Sequence, residues 1–425
     1  MPNVLTNLTV PLAGLVDLAL LGHLDRVEAL GGVALGVILF DYLYWSFGFL
    51  RMSTTGLVAK AFGAQDDMNT KLVVWRSLII AAIVGIAILV LQGPLMGFGF
   101  ELLQGEVDVE RAGLEYVHAR IWGAPAALSV YVFHGYLLGR QRVGAALVLA
   151  SVLNGANIIF DVWFIGFLGW GPAGAGLATM ASEWLAVGTA MLLVRRDWPK
   201  QPLDFKRDIW RADAFKSLFA LQTNILIRTF CLITSFAVFT NLSAMLGTLI
   251  LTANAILLKL LGMAAYFIDG FAFALESMAG AYAGARKIQA LRRALNLSLA
   301  WNVGCVLLFV ALFAFLGESI IGALTRHDDV IAEAMRWVPW LCVVLLFSGF
   351  AYIYDGFFIG LTQGRTLRNA MLISTVVGFL PLAWWSHFES SPHLLWLSMV
   401  SYMAFRTATL GWAARNVFRQ PEIAL

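Results

Sequence analysis

The sequence predicts an all-α integral membrane protein of about twelve transmembrane helices, arranged as two six-helix repeats around a central cleft. Three observations predict it. Of the 425 residues, 60% are hydrophobic and only 13% charged, with a mean hydropathy of +0.79; an ordinary soluble domain carries about 25% charged residues. Such a chain lacks the polar surface to cover itself in water. Its apolar residues also fall in long runs, among them Leu78–Leu91, Ala145–Ile159 and Cys305–Leu316. Each extends on both sides toward the roughly 20 residues that cross a hydrocarbon core. Finally, an offset of 221 positions aligns Gly63-Ala64-Gln65 with Gly284-Ala285-Arg286, and Tyr131, Gly135 and Gly139 with Tyr352, Gly356 and Gly360. One offset serving two separated regions points to a duplicated half.

In chain order, apolar runs bounded by charged or Gly/Pro-containing breaks place first-half spans near 1–22, 31–58, 72–95, 114–139, 145–168 and 173–194. The second half supplies 216–243, 250–281, 294–316, 336–361, 370–386 and 394–414. These runs are too long for barrel strands, which are about ten residues of alternating polarity. RRDWPKQPLDFKRDIWRADAFK, from Arg195 to Lys216, is the long polar connection near mid-chain. The expected organisation is therefore an N-lobe over 1–194, a cytoplasmic linker over 195–215 and a C-lobe over 216–425. Facing parallel repeats suit alternating access, because a cleft between them can open to either side.

Lys and Arg concentrate in alternate connections, for example Lys60, Lys71, Arg140, Arg142, Arg195, Arg207, Arg286, Lys287, Arg365, Arg368 and Arg419. The opposite connections hold chiefly Arg26, Arg111, Arg326 and Arg336. The positive-inside rule then puts the basic set and both termini in the cytoplasm. A net charge of +3 makes no case for a nucleic-acid partner. Cys231, Cys305 and Cys342 are odd in number and lie in apolar segments, which reads as small buried hydrophobes and not as a disulfide framework. There is no HExxH, GxSxG or nucleotide loop, and six scattered histidines make no catalytic set. No enzyme activity and no cofactor are expected.

Charges inside the spans carry the functional reading, since an aspartate at a helix centre costs about 2.5–3.5 kcal/mol to insert. The first half offers Asp17, Asp41, Arg51 and Asp161, and the second Arg228, Lys259, Asp269, Glu276 and Asp355. So many charges imply a wet or internally paired interior. Asp17 lies in PLAGLVDLALLGHL, six residues after Pro11, whose ring kinks a helix and frees carbonyls one turn upstream. Apolar surroundings favour the neutral form of a carboxyl, so this group could take up a proton and release it as its surroundings change. Alternatively it hydrogen-bonds a neighbouring helix as structural glue. Asn154, Asn157 and Asp161 stand at i, i+3 and i+7 and share one helix face. Thr179 follows in GPAGAGLAT, where Gly171, Gly174 and Gly176 allow close helix approach. This stripe could hold the first-span acid in a network, or could be packing alone. At the 221 offset Asp17, Asn157 and Asp161 meet Val238, Gly378 and Leu382, so the cluster belongs to the N-half only.

In the C-half, Asp269 and Glu276 are seven apart and share a face, with Arg228 and Lys259 as candidate partners; mutual neutralisation is the simpler reading. Asp41 stands beside Tyr42, Tyr44 and Trp45, and Asp355 beside Tyr352 and Tyr354. An acid amid aromatics suits a cationic aromatic compound through charge pairing and cation–π contact, although aromatics also form interfacial belts.

PLAGLVDLALLGHL, FDYLYWSFGFLRMSTTGLVAKAFGA, NIIFDVWFIGFLGWGPAGAGLAT and AYFIDGFAFALESMAGAYAGA occur in the order found in the multidrug and toxic compound extrusion (MATE) family. Across nearly its whole length the chain resembles that family's DinF-like branch. The resemblance implies an antiporter of a bacterial inner membrane that exports cationic or amphiphilic drugs in exchange for protons and works as a monomer. It implies Asp17 as the proton site, supported by Asn157, Asp161 and Thr179, and a cycle of protonation, rearrangement of the first helix and outward release. The chain starts without the longer basic segment usual in the family, which leaves open whether Met1 is the natural start. Asp41 stands where this branch often carries a neutral amide, which leaves its role open. Sodium coupling in other branches relies on C-half carboxylates, so Na+ at Asp269, Glu276 or Asp355 stays an alternative. A lipid or saccharide flippase of the same superfamily is the other rival; its basic cavity contrasts with the excess of acids read here.

Overall fold

Among residues 27–103, 106–195, 198 and 208–420, which the computed structural model describes, every regular element is a helix. The first expected span, and Asp17 with it, lies outside the described residues, as does most of the expected linker. The chain divides into two compact units, Met1–Ser217 and Leu218–Leu425. The first holds α1 (Val27–Ser46), α2 (Phe49–Gly63), α3 (Asp67–Val90), α4 (Gln92–Leu103), α5 (Val107–Arg120), α6 (Ala124–Gly139), α7 (Val143–Asp161) and α8 (Gly171–Arg195). A 3₁₀ turn, Ile121–Gly123, joins α5 to α6, and a π-helical turn, Val162–Phe167, extends α7. The second holds most of α9 (Ala212–Met245), then α10 (Thr248–Gly284), α11 (Ile288–Leu324), α12 (Asp328–Gly360), α13 (Gly364–Ile373), α14 (Leu380–Glu389) and α15 (Pro392–Arg419).

Ten stretches of the described chain are long and apolar enough to cross a membrane. In these, α1 with α2 and α5 with α6 each form one span, Glu28–Gly63 and Val107–Gly139. The 28 residues of α15 are also long enough, although they carry Arg406, Arg415 and Arg419. Several helices outrun the expected limits: α11 has 37 residues where the apolar run suggested 294–316. A helix need not stop where the hydrocarbon does, because its backbone bonds are satisfied internally in water and lipid alike. The outer surface is itself apolar. Phe315 is 85% exposed and Phe167 80%, positions that water would oppose and lipid favours.

The offset of 221 recurs in the backbone. It maps the ends of α2 and α6, Gly63 and Gly139, onto those of α10 and α12, Gly284 and Gly360. It maps the first residues of α3, α7 and α8 onto those of α11, α13 and α15. The left-handed residues follow the same rule: Gln65, Gln141 and Gly169 correspond to Arg286, Thr362 and Ser390. The aligned glycines are explained by packing. A Cβ on Gly135 would meet the Arg51 carbonyl at 2.7 Å, and one on Gly356 would strike the carbonyl of Ala272, the repeat equivalent of Arg51. Glycine there lets α6 lie against α2, and α12 against α10, at backbone distance.

Four helices close with one motif. The amide of Asp66 reaches back to the Ala61 carbonyl, Arg142 to Leu137, Lys287 to Tyr282 and Gln363 to Phe358, at 2.8–2.9 Å, each just after a left-handed residue. This is the Schellman closure, which normally uses glycine at the left-handed position. Thr362, with φ 60°, is β-branched and the most strained occupant. Thr362→Gly is therefore expected to stabilise the protein by about 1 kcal/mol, read as a higher unfolding temperature in detergent.

Candidate functional site

In the N-half the stripe read on α7 faces α8. Asp161 is 0% exposed and Asn157 8%, while Asn154 is half-buried. Asn157 Nδ2 donates to Thr179 Oγ1 at 3.4 Å, and that hydroxyl donates to the Ala175 carbonyl at 3.1 Å. Asp161 is the last residue of α7 before the π-helical turn, a departure from regular winding that often marks functional sites. The glycines of α8 do act in packing: a Cβ on Gly176 would meet Ala119 Cβ at 2.8 Å and Arg120 N at 3.0 Å. That close approach brings the polar face of α8 against the end of α5.

One turn beyond Thr179 lies Glu183, 6% exposed, which the sequence reading passed over. Its carboxylate occupies the space that a Cβ on Gly123 would fill, and Oε2 has no hydrogen-bond partner among the described residues. Arg120, also passed over, interacts electrostatically with Glu183, Tyr44, Tyr116 and Asp41. Tyr131 interacts with Glu183, Arg120, Asp41 and Arg51. Of the aromatic group read on α1, Tyr44 is buried whereas Tyr42 and Trp45 are exposed at 56% and 60%; Asp41 is exposed as well. Arg51 is buried on α2.

The C-half has its own polar centre, a second break in symmetry. Asp355 of α12 accepts from Arg228 of α9 and from Arg406 of α15, all three being less than a tenth exposed. Arg228, a candidate partner of Asp269 and Glu276, pairs with Asp355, and Lys259, its fellow candidate, is exposed. Glu276 is 1% exposed and Asp269 half-buried. Arg406 lies over the Tyr352 ring at 5.2 Å, and Tyr352 also interacts with Asp269. Tyr131 and Tyr352, aligned by the repeat, each stand amid the charges of their own half.

These features, a repeated bundle of membrane-length helices with titratable groups buried between them, are of the kind found in transporters. The comparisons agree. The MatE family pattern matches residues 2–163 and again 225–385, once in each half. DNA damage-inducible protein F of Escherichia coli is 34% identical over 431 residues, covering 99% of this chain and 91% of that protein. A protein described as a probable multidrug resistance protein NorM, of Acinetobacter baylyi, is 27% identical over 342 residues, covering 79% of this chain and 75% of its own. In fold, a MATE crystal structure in the bent conformation superposes with a TM-score of 0.91 at 20% identity, covering 100% of this chain and 95% of that one. The chain belongs to the MATE family, whose members are multidrug efflux transporters and not enzymes.

Proposed function

We propose that the protein exchanges protons for cationic, amphiphilic organic compounds by alternating access, with Asp17 and Asp161 as the titrating pair of the N-half. The observation that carries this reading is the fully buried Asp161 on the face where Asn157 bonds Thr179. A buried carboxyl is costly when charged and less so when neutral, so protonation biases the packing around it. Sodium at Asp355 is the weaker reading, because that acid already faces two guanidinium groups and a third cation there would be repelled; Asp269 and Glu276 carry the sodium alternative. The segregation of Lys and Arg supports a cytoplasmic-membrane setting with both termini inside, and we take one chain as the working unit.

The test is efflux of ethidium from right-side-out vesicles under an imposed pH gradient, with sodium or with choline. Gradient-dependent efflux is expected in both salts. Complete loss in choline would transfer the mechanism to sodium, and absence of gradient-dependent efflux in either salt would favour a flippase.

A further inference from the structure

Arg120 closes α5 with its guanidinium among three aromatic rings. Cζ lies 4.4 Å from the centroid of Phe40, 5.6 Å from Tyr116 and 5.7 Å from Tyr44. All three rings are buried, at 1%, 2% and 6% exposure. Nη1 donates to Tyr116 Oη at 2.5 Å, and the carboxylates of Glu183 and Asp41 lie within electrostatic reach. Several ring faces with an acid behind them are the chemistry by which proteins hold quaternary ammonium and related cations.

Arg120 does not saturate this cage. Its Nε, Tyr44 Oη and Glu183 Oε2 are all buried and lack hydrogen-bond partners among the described residues. A purely structural ion pair at this depth would be expected to satisfy them, since each orphaned atom is a cost. A delocalised organic cation has no such hydrogen bonds to lose.

We infer that Phe40, Tyr44, Tyr116 and Glu183 form an organic-cation site within the N-half, which Arg120 fills as an internal surrogate when no cargo is present. The charge class of the cargo rests on the export reading above. Cargo and Arg120 compete for one acid and one set of rings, so one positive charge replaces another and Glu183 stays neutralised throughout. The surrogate keeps the empty site from collapsing, and it sets a threshold: a cation must outcompete a stacked guanidinium to bind.

Equilibrium binding of tetraphenylphosphonium to the purified full chain in detergent, without any gradient, tests this. Arg120→Gln removes the competitor and should tighten binding about tenfold. Adding Glu183→Gln to that variant should remove the gain. Unchanged or weaker binding by Arg120→Gln overturns the inference, because the arginine is then structural or helps to hold the ligand. Should that variant fail to fold, Arg120→Lys keeps the charge but loses the flat stacking surface. It should bind severalfold tighter than the parent, and parental or weaker affinity is again fatal. Failure here leaves the export reading intact, since no gradient is involved; loss of pH-driven efflux with the binding pattern intact would sink that reading and spare the cage.

Discussion

Asp161→Asn is expected to abolish pH-driven efflux while leaving the amount of inserted, monodisperse protein close to normal. Asparagine has the same shape and keeps one carbonyl acceptor, so packing around the end of α7 should survive. It cannot gain or lose a proton. The residue is fully buried, and its face is already engaged with α8 through Asn157 and Thr179. A proton on or off the acid changes its desolvation cost, which for an aspartate at a bilayer centre is about 2.5–3.5 kcal/mol, and whatever part differs between two conformations shifts their equilibrium. Asp17→Asn should fall to the same floor. The double variant should fall no lower, because residues that act as one unit are not additive. If Asp161→Asn exports normally, or loses efflux only in proportion to protein recovered, the residue is packing and the proton site lies elsewhere.

Much of the fold was legible because it follows from periodicity and solvent. Long apolar runs gave the spans, and the glycine and tyrosine matches at offset 221 gave the repeat; Gly135 and Gly356 proved to be backbone contact points, which is why no other residue type serves there. The stripe of Asn154, Asn157 and Asp161 could be read because helical spacing within one segment is fixed. Contacts between segments could not. Glu183 sits inside an apolar span four residues after Thr179, a signal that was available, but nothing in the order of residues tells that α5 delivers Arg120 beside it. Arg406 was overlooked in the same way, inside the last helix. Asp41 was read amid Tyr42, Tyr44 and Trp45 from their adjacency in the chain, yet helical geometry turns Tyr44 inward and Tyr42 and Trp45 outward. Helix ends were read short, since hydropathy reports the membrane and not the helix.

Asp355→Asn should destabilise the C-half by about 3–5 kcal/mol, the usual consequence of removing one partner from a buried ion pair. The wild-type centre holds Arg228, Arg406 and Asp355 and so a net charge of one positive. Removing the carboxylate takes from two buried guanidinium groups the acid they share, and a lower unfolding temperature and poorer recovery should follow. The arrangement joins α9, α12 and α15, so its loss loosens three helices at once. Arg228→Gln added to Asp355→Asn brings the charge back to one positive and should recover a good part of the stability. That rescue separates the two roles open to this acid. A residue that only ties helices together is replaceable once the charge is rebalanced, and pH-driven efflux should return with the folded protein. A sodium ligand is not: the rebalanced variant would fold, and would transport with its sodium dependence gone. Recovery of fold and proton-driven efflux together would assign Asp355 to the framework and leave the coupling to the N-half.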